Sequence, residues 1–439
     1  MTMTAEKAKL DYIPLPDGCR RLALCFDGTW NSLESQTNVS RLYRVLASVD
    51  TQCPDQLTFY DQGVGTEWGT RIRGGALGLG LGRNVLEGYC WLVNTYLPGA
   101  PRPDASGPYD SYEPTSAERE ETFSRGDLVF LFGFSRGAFT ARSLAGMINR
   151  VGIVDRNKVW ERRPELRGRP LDRSTPEIAE AWELYRRKAD PAHGPARNQA
   201  DWAGFRARSA LTVKIAFVGV WDTVGALGLP WLGSATLPFG RGRFEFHDTK
   251  LGRVVENAYH AVAIDEHRAD YEATLWTAPD RGLWTRVEQR WFPGAHANVG
   301  GGYDDDLLCE APLFWMANAA AELGLVFRRD RQVPPFADSP PPEFKLDGNE
   351  YLSPVRDSYG EFLGGIYAKA KAFAGGRHYR RMLVESDGIA QVVDPSARLK
   401  WDVDRNYRPR NLAVAGRADV GRQPIPSARD FRIAQGRTS

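Results

Sequence analysis

The chain has 439 residues, and its 57 lysine and arginine residues against 55 aspartate and glutamate residues leave a net charge of +2. This length allows two or three domains, or one large domain with insertions. A content of 42% hydrophobic and 26% charged residues is typical of a globular protein and excludes a disordered or fibrous chain. The balanced charge argues against a nucleic-acid partner, because proteins that bind nucleic acids usually carry a basic excess.

The cysteines and the apolar runs indicate the cellular compartment in which the protein is expected. The five cysteines are odd in number and include no Cys-x-x-Cys pair, so neither a disulfide framework nor a zinc site is predicted. Residues 1–18 lack the apolar region of a secretory signal, and the apolar stretch from Gly74 is interrupted by Arg83 and Glu87. We therefore expect a protein that is cytoplasmic as synthesised, without a signal peptide or transmembrane segment.

Short apolar runs alternate with helical patterns along the chain. The apolar runs, each followed by glycine, tryptophan or aspartate, are Leu22–Phe26, Leu57–Tyr60, Leu128–Phe132 and Val213–Val220. The helical patterns are Val39–Val49, Asn84–Tyr96, Ala138–Asn149 and Ala311–Leu323. Such runs are typical of strands buried on both faces. The alternation predicts an α/β fold with a doubly wound, mostly parallel sheet of the α/β-hydrolase type.

Four segments are expected along this fold. Residues 1–19 form an N-terminal extension, and residues 20–325 form the α/β-hydrolase catalytic core. Residues 155–210, rich in arginine and glutamate, form a helical cap inserted in that core; the alternative is a solvated surface excursion. Residues 326–439 pack on the core as a C-terminal segment, and the polar tail from about residue 413 is flexible.

The sharpest motif is Gly133-Phe134-Ser135-Arg136-Gly137, a G-x-S-x-G sequence between an apolar run and a helical pattern. In a strand–turn–helix setting the turn is strained, and only glycine tolerates the crowding two residues to either side of the serine. The serine then lies at a helix N-terminus, whose dipole favours developing negative charge. The motif predicts a nucleophile elbow with Ser135 as nucleophile; the alternative is a glycine-rich packing turn.

A serine nucleophile needs a histidine base and an acid that orients it. All the histidines follow Ser135, so chain order does not select among them. His296 lies in a glycine-rich loop directly after the predicted strand Val287–Phe292, and we expect it to be the base. The other histidines (residues 193, 247, 260, 267 and 378) are expected to be core or surface residues.

Three aspartates compete for the role of acid. Asp222 directly follows an apolar strand and would share a sheet edge with Ser135, so it is the first choice. Asp265 is the alternative acid, Asp304 is a third candidate, and a cap or turn role for Asp222 stays open.

The oxyanion hole is expected to use the backbone N–H of Arg136 and a donor from the loop of Gly28 and Thr29. The sequence Asp27-Gly28-Thr29 also resembles loops in which an aspartate holds Mg²⁺ for phosphate chemistry, and this alternative lacks a second acidic cluster. Gly74–Gly82 lacks the spacing of a phosphate-binding loop. A solvated turn is expected for residues 304–306, since three consecutive carboxylates cannot all face one ion.

The motifs together resemble a known family. In chain order they are Cys25–Asn31 (CFDGTWN), Gly63–Thr66 (GVGT), Gly133–Ala138 (GFSRGA), Val220–Val224 (VWDTV), Trp291–His296 (WFPGAH) and Val299–Tyr303 (VGGGY). This set resembles the α/β-hydrolase catalytic domain of type VI secretion phospholipase effectors, the Tle family. The resemblance covers about residues 20–325 and continues weakly near residues 356–359 and 407–412. The chain has Asn298 and Arg356 where the family pattern has aspartate and often histidine.

The resemblance implies Ser135 as nucleophile, His296 as base and Asp222 as acid, in an enzyme that cleaves phospholipid acyl esters. It implies no cofactor and no metal ion for this chemistry. The implied partners are a lipid or other ester substrate, a peripheral membrane contact, and secretion-apparatus and immunity proteins, with export by type VI secretion. Two alternatives stay open: a cytoplasmic carboxylesterase that is not secreted, and a catalytically silent binding module of the same fold.

The inserted residues 155–210 raise a separate hypothesis. With the apolar stretch Gly74–Leu81 they would guard an acyl pocket and expose tryptophans and arginines to a membrane. The side chains concerned are Trp160, Trp182, Trp202, Arg162, Arg163, Arg186 and Arg187. The alternative is that the tryptophans pack inward and the arginines are merely solvated.

Overall fold

A computed structural model gives the architecture. It describes residues 19–28, 31, 33–47, 53–63, 76–99, 124–187, 194–225, 251–277, 286–303, 306–328, 349–361, 381, 389 and 391–414. The strands in this part of the chain are β1 Arg21–Phe26, β2 Gln56–Asp61, β3 Ser124–Phe134, β4 Ile153–Val154, β5 Ala210–Leu211, β6 Val213–Trp221, β7 Asn257–Ala263, β8 Arg286–Phe292 and β9 Gln391–Val393.

The helices in the same ranges lie on both faces of the sheet and in the C-terminal part of the chain. They are α1 Asn38–Val45, α2 Ala76–Thr95, α3 Arg136–Val151, α4 Arg156–Arg162, α5 Pro176–Arg186, α6 Gly194–Ser209, α7 His296–Gly300, α8 Glu310–Glu322, α9 Ser358–Glu361, α10 Pro395–Val403 and α11 Arg410–Val414. In the described part of the chain, no helix has both the length and the apolar character needed to cross a membrane.

Seven of the described strands form the central sheet in the order β2-β1-β3-β6-β7-β8-β9, and every neighbouring pair is parallel. The chain steps from β1 outward to β2, and then returns past β1 to begin β3. The strand order therefore reverses between β1 and β3. Ligands of open α/β sheets bind outside the carboxyl ends of the strands at such a switch point.

Residues on the two faces of the central strands pack into two separate hydrophobic cores. In β1, Leu22, Leu24 and Phe26 pack with α2 and α3 on one face. The intervening Ala23 and Cys25 pack with α1 and α8 on the other face. Because both faces are covered, the strands must be apolar throughout, which is why they appear in the sequence as continuous runs. The predicted doubly wound α/β fold is confirmed.

One predicted boundary is wrong. The helical pattern over Val39–Val49 predicts a helix that continues past its true end, since α1 stops at Val45. Leu46 pairs with Phe327 in an antiparallel bridge, and the Ala47 N–H donates to the Val326 carbonyl at 3.0 Å. A tertiary backbone contact thus replaces the next helical turn.

The inserted residues form helices α4, α5 and α6, closed by the short antiparallel pair β4–β5. Trp160, Trp182 and Trp202 are partly buried and pack against the core that α2 and α3 share. A Cβ on Gly82 of α2 would lie 3.1 Å from the Trp182 ring. The tryptophans therefore pack inward, as in the alternative interpretation, and the hypothesis that they are exposed to a membrane is wrong.

The arginines of the insertion pair with acidic residues of the same segment. Arg162 and Arg163 lie 4.0 and 3.5 Å from the Glu177 carboxylate, and Arg187 lies 3.1 Å from Asp201. Arg186 lies 3.6 Å from Glu183. Gly74 and Gly75, the start of the expected apolar rim, lie outside the described residues. Helix α2 begins at Ala76.

The C-terminal part of the chain adds the last strand, β9, to the sheet. Strand β9 lies parallel to β8, with Gln391 opposite Gln289 and Val393 opposite Trp291. Ala397, Tyr407 and Leu412 form a small core with the same β8 edge. The described residues 349–414 thus pack at the carboxyl side of β7 and β8, while residues 415–439, predicted as a flexible tail, lie outside the described residues.

Candidate active site

Ser135 occupies a strained turn between β3 and α3. Its φ is 56°, a left-handed conformation that is unfavourable for a residue with a Cβ. A Cβ on Gly133 would lie 2.4 Å from the Gly137 carbonyl oxygen, and one on Gly137 would lie 2.0 Å from the Phe26 carbonyl oxygen. The two glycines therefore permit the sharp turn that the sequence motif predicts. Ser135 is 7% exposed and precedes the first residue of α3.

The loop after β1 lies beside this serine. A Cβ on Gly28 would lie 3.5 Å from the Ser135 Cβ, so the glycine leaves space at the turn. The Asp27 carboxylate accepts hydrogen bonds from the Gly28 N–H, the Thr37 hydroxyl and the Tyr60 hydroxyl, each at 2.7 Å. Burial raises the pKa of Asp27 to about 6, and these hydrogen bonds oppose the shift only in part.

These bonds alter the expected oxyanion hole. The Gly28 N–H donates to Asp27, so the expectation that it is the second oxyanion donor does not fit its geometry here. The next amide, that of Thr29, lies outside the described residues. The expected donor Arg136 is the first residue of α3, at the positive end of the helix dipole.

Asp222 lies at the end of the neighbouring strand. Phe134 and Trp221 are opposite each other in the β3–β6 ladder, and the Ser135 N–H donates to the Trp221 carbonyl at 3.1 Å. Ser135 and Asp222 are therefore the first residues beyond two paired strand ends. Asp222 has a φ of 39° and is fully buried.

His296 meets this aspartate although 74 residues separate them in the chain. Its Nδ1 lies 2.5 Å from the Asp222 Oδ2. The imidazole packs against the Phe134 ring with centroids 4.7 Å apart and against the Tyr271 ring at 5.1 Å. Since Phe134 directly precedes Ser135, the histidine and the serine lie at the same point of the sheet edge.

Burial and charge set the protonation of this pair. Burial by itself would raise the pKa of Asp222, but the Arg381 guanidinium and the hydrogen bond from His296 hold that pKa well below its usual range. Burial lowers the pKa of His296, and the bond to Asp222 opposes this shift only in part. At neutral pH the pair is a carboxylate beside a neutral imidazole whose Nδ1–H donates to Asp222, which leaves Nε2 as an acceptor.

Arg381 is the site residue that the sequence analysis missed. It is 2% exposed, and its Nη1 and Nη2 donate to the two oxygens of Asp222 at 2.5 and 3.0 Å. The Ala263 N–H also donates to Asp222 Oδ1, at 2.9 Å. No sequence motif surrounds Arg381, so the sequence gives no sign, apart from the arginine itself, that this residue belongs to the site.

The alternative acid, Asp265, serves a different group. Its Oδ2 accepts from the Gly294 N–H at 2.8 Å, and the Asp265 N–H donates to the Gly294 carbonyl at 2.9 Å. It thus holds the loop that carries His296, whereas Asp222 is the carboxylate at His296 Nδ1. The third candidate, Asp304, lies outside the described residues.

The other described histidines, His260 and His267, do not contact Asp222 through a side-chain hydrogen bond among the contacts described. His260 of β7 is fully buried, and its Nε2 accepts from the Thr223 N–H at 3.1 Å, directly after Asp222. Burial lowers the pKa of His260 to about 3, so it stays neutral and can accept this bond. His267 is partly exposed, and residues 193, 247 and 378 lie outside the described residues.

Within the described ranges, no group of three or more histidine, cysteine, aspartate or glutamate side chains is arranged to hold an ion. Asp306 accepts from the Leu308 N–H at 2.8 Å and from the Asn298 side chain at 3.0 Å, so it closes a local turn.

Three comparisons relate the chain to known proteins. A family model described as the type VI secretion system (T6SS) phospholipase effector Tle1-like catalytic domain matches residues 20–319. The uncharacterized protein YEL023C of Saccharomyces cerevisiae is 26% identical over 275 residues, which are 59% of this chain and 33% of that protein.

Solved structures give weaker likenesses. An uncharacterized protein from Pseudomonas aeruginosa is 18% identical with a TM-score of 0.38, over 71% of this chain and 47% of that one. The Tle1 effector bound to the VgrG spike of the type 6 secretion system is 17% identical with a TM-score of 0.32, over 66% of this chain and 52% of that one. The chain thus spans between a third and about half the length of these relatives.

Proposed function

The chain belongs to the family of T6SS Tle1-like phospholipase effector catalytic domains, and from this membership we propose that it is a serine hydrolase of carboxylic esters. The observation that carries the proposal is the 2.5 Å contact between His296 Nδ1 and Asp222 Oδ2, at the sheet edge where Ser135 occupies a strained turn. The substrate class that fits the family is the acyl ester of a phospholipid.

In the proposed reaction the Ser135 Oγ attacks the ester carbonyl carbon while His296 Nε2 accepts the hydroxyl proton. Asp222 holds the imidazole in the required tautomer and stabilises its protonated form. The tetrahedral oxyanion lies at the N-terminus of α3, where the Arg136 N–H and the helix dipole stabilise negative charge.

The second half of the reaction returns the enzyme to its resting state. His296 gives its proton to the leaving alcohol oxygen as the ester C–O bond breaks, which leaves an acyl group on Ser135. Water then attacks the acyl carbon with His296 as base, and His296 returns the proton to Ser135 Oγ as the bond between Oγ and the acyl carbon breaks and the fatty acid leaves. The lowered pKa of His296 keeps the base form available at neutral pH.

Partners follow from the same family membership. A phospholipid substrate requires contact with a membrane surface during acyl-chain transfer, and a T6SS effector requires contact with the secretion apparatus. We propose both partners for this chain, together with an immunity protein that protects the producing cell. The second candidate function is a cytoplasmic carboxylesterase that is not secreted. Activity on phospholipids distinguishes the phospholipase from this carboxylesterase.

Labelling with a fluorophosphonate probe tests the nucleophile. The wild-type protein should be labelled, and Ser135→Ala should not be. Ser143→Ala, a matched control that removes a serine of similar burial (8% exposed) from α3, should be labelled like the wild type. Equal labelling of wild type and Ser135→Ala would contradict Ser135 as nucleophile.

Mass spectrometry of a phospholipid extract tests the substrate class. Incubation with the wild-type protein should release fatty acids and lysophospholipids, and incubation with Ser135→Ala should release neither. Turnover of short soluble esters without any phospholipid product would instead support the carboxylesterase. If neither substrate is turned over and the probe does not react, the chain is a silent module of this fold.

A further inference from the structure

Three consecutive backbone N–H groups of the loop that carries His296 each donate to a different buried side chain. The pairs are Gly294 with Asp265 Oδ2 at 2.8 Å, Ala295 with Asn298 Oδ1 at 3.0 Å, and His296 with Glu266 Oε2 at 3.2 Å. All three acceptor residues are 5% exposed or less. The path of the backbone into the histidine is therefore set by three polar side chains.

Each of these acceptors is in turn held by a residue of the C-terminal segment, defined here as the described residues from 349 to 414. The three bonds are from Tyr407 Oη to Asp265 Oδ2 at 3.0 Å, from the Arg356 N–H to Asn298 Oδ1 at 3.1 Å, and from Ser358 Oγ to Glu266 Oε1 at 3.0 Å. One segment thus fixes all three side chains that hold the histidine loop.

The same segment supplies the partner of the acid. Arg381 uses both terminal nitrogens on Asp222 and is itself anchored, because Nη1 donates to the Ala263 carbonyl at 3.0 Å and Nη2 donates to the Tyr271 carbonyl. With His296 on one carboxylate oxygen and the Ala263 N–H on the other, the carboxylate has a single orientation.

The family model ends at residue 319, whereas these four contacts all come from beyond it. Given the proposed function, we propose that the C-terminal segment completes the active site and that Arg381 is a positioning residue for the Asp222–His296 pair. Arg381 does not touch the substrate in this scheme. It acts through Asp222, and Tyr407, Arg356 and Ser358 act through the histidine loop.

The charges around His296 make this role measurable. The groups that face it are Asp222 after β6, Glu266 and Arg268 after β7, Tyr271 in the following turn, and Arg381 through Asp222. Removing the Arg381 charge leaves the carboxylate unopposed, so a proton on His296 becomes more stable. The acidic limb of kcat/KM then shifts to higher pH.

The first experiment substitutes Arg381 in the full chain and measures hydrolysis of a short soluble ester. Arg381→Met should lower kcat by about 100-fold, the scale expected for a misplaced catalytic group, with KM nearly unchanged. Its acidic limb should lie at higher pH than that of the wild type. Arg381→Lys, which keeps the charge, should fall between the two in kcat.

Arg21→Met is the matched control. Arg21 is equally buried, pairs with Asp55 at 2.5 Å and donates to the Gly324 carbonyl. It is the first residue of β1, so it lies at the amino end of the strands and not at the carboxyl end, where the site is. This variant should lose thermal stability and keep the kcat and pH profile of the wild type. An Arg381→Met variant with kcat within about threefold of wild type and an unshifted acidic limb would overturn the proposal.

Smaller changes cover the case in which Arg381→Met does not fold. Tyr407→Phe with Ser358→Ala removes two of the three bonds and should lower kcat by about five- to tenfold. Tyr89→Phe is the control, because its buried hydroxyl donates to the Gly152 carbonyl at 2.9 Å away from the site. Equal kcat in the double variant and in the control would contradict the role of the segment.

Ser135→Ala separates failure of this proposal from failure of the proposed function. If Ser135→Ala retains turnover, the proposed triad is wrong, and the positioning role falls with it. If Ser135→Ala is inactive while Arg381→Met and the double variant keep wild-type kcat and pH profile, the triad stands and only the positioning role is wrong.

Discussion

The serine end and the histidine end of the site are built by different means. At the serine end, Gly133 and Gly137 permit a strained turn, and both glycines lie within two residues of Ser135 in the chain. At the histidine end, buried charges and hydrogen bonds join Asp222, His296 and Arg381 from distant parts of the chain. The glycines that permit the turn lie close together in the sequence, whereas the polar network is assembled only by folding.

Substitution of Ser135 and His296, singly and together, tests whether the two ends of the site act as one unit. Ser135→Ala and His296→Ala should each lower kcat for a soluble ester by about 10⁶-fold, and the double variant should be hardly worse, since triad members act together. Kinetics with circular dichroism as a folding control measure this. Additive losses in the double variant would show that the two residues act separately.

The second prediction concerns the choice between the two aspartates. Asp222→Asn should lower kcat by about 10⁴-fold, because an amide stabilises the wrong imidazole tautomer. Asp265→Asn should cost far less, because Asp265 holds the Gly294 N–H and not the imidazole. A severe Asp265→Asn with a mild Asp222→Asn would reverse this assignment.

The third prediction probes the steric end alone. Gly137→Ala places a Cβ 2.0 Å from the Phe26 carbonyl oxygen and should lower the free energy of unfolding by about 3 kcal/mol, with loss of activity. Gly225→Ala is the control, because a Cβ there has no atom within 4 Å. Denaturant unfolding compares the two, and equal stability would contradict the steric account of the turn.

The fourth prediction probes the polar end through pH. Burial alone would raise the pKa of Glu266, but Arg268 lowers it to about 2. A carboxylate with a lowered pKa adds stability above its unfolded pKa of about 4.5, and this is lost as pH falls toward 2. Glu266→Gln should therefore be less stable than wild type by on the order of 2 kcal/mol at pH 7, with the gap narrowing below the unfolded pKa and closing as the pH falls through about 2.

Thermal unfolding of wild type and Glu266→Gln across this pH range measures the gap. Glu87→Gln is the control, since this exposed residue pairs only with Arg83 on the surface of α2 among the contacts described. A Glu266→Gln gap that is constant from pH 7 to pH 2.5 would contradict the buried ion pair as its source.

The smallest expected effect is the position of the acidic limb in the wild type. Burial lowers the pKa of His296 from 6.5, so the base form persists to lower pH. The midpoint of the acidic limb of kcat/KM should therefore lie below pH 6.5. A midpoint above this value would mean that the Asp222 charge outweighs burial.

Features whose residues lie close together along the chain can be predicted from the sequence. Continuous apolar runs predict the strands β1, β2, β3 and β6, because a sheet covered on both faces needs them. The G-x-S-x-G spacing predicts the turn at Ser135, because both glycines that the turn needs lie within five residues of the chain. Both follow from local periodicity and backbone sterics.

Features that depend on contacts between distant parts of the chain become visible in the tertiary structure. It brings Asp222 rather than Asp265 to His296 Nδ1, turns the Gly28 N–H toward Asp27, and packs Trp182 of the insertion inward. It also brings Arg381 to Asp222 from beyond the matched family domain. The physical reason is that hydrogen bonds and ion pairs depend on distances of about 3 Å, which spacing along the chain does not encode.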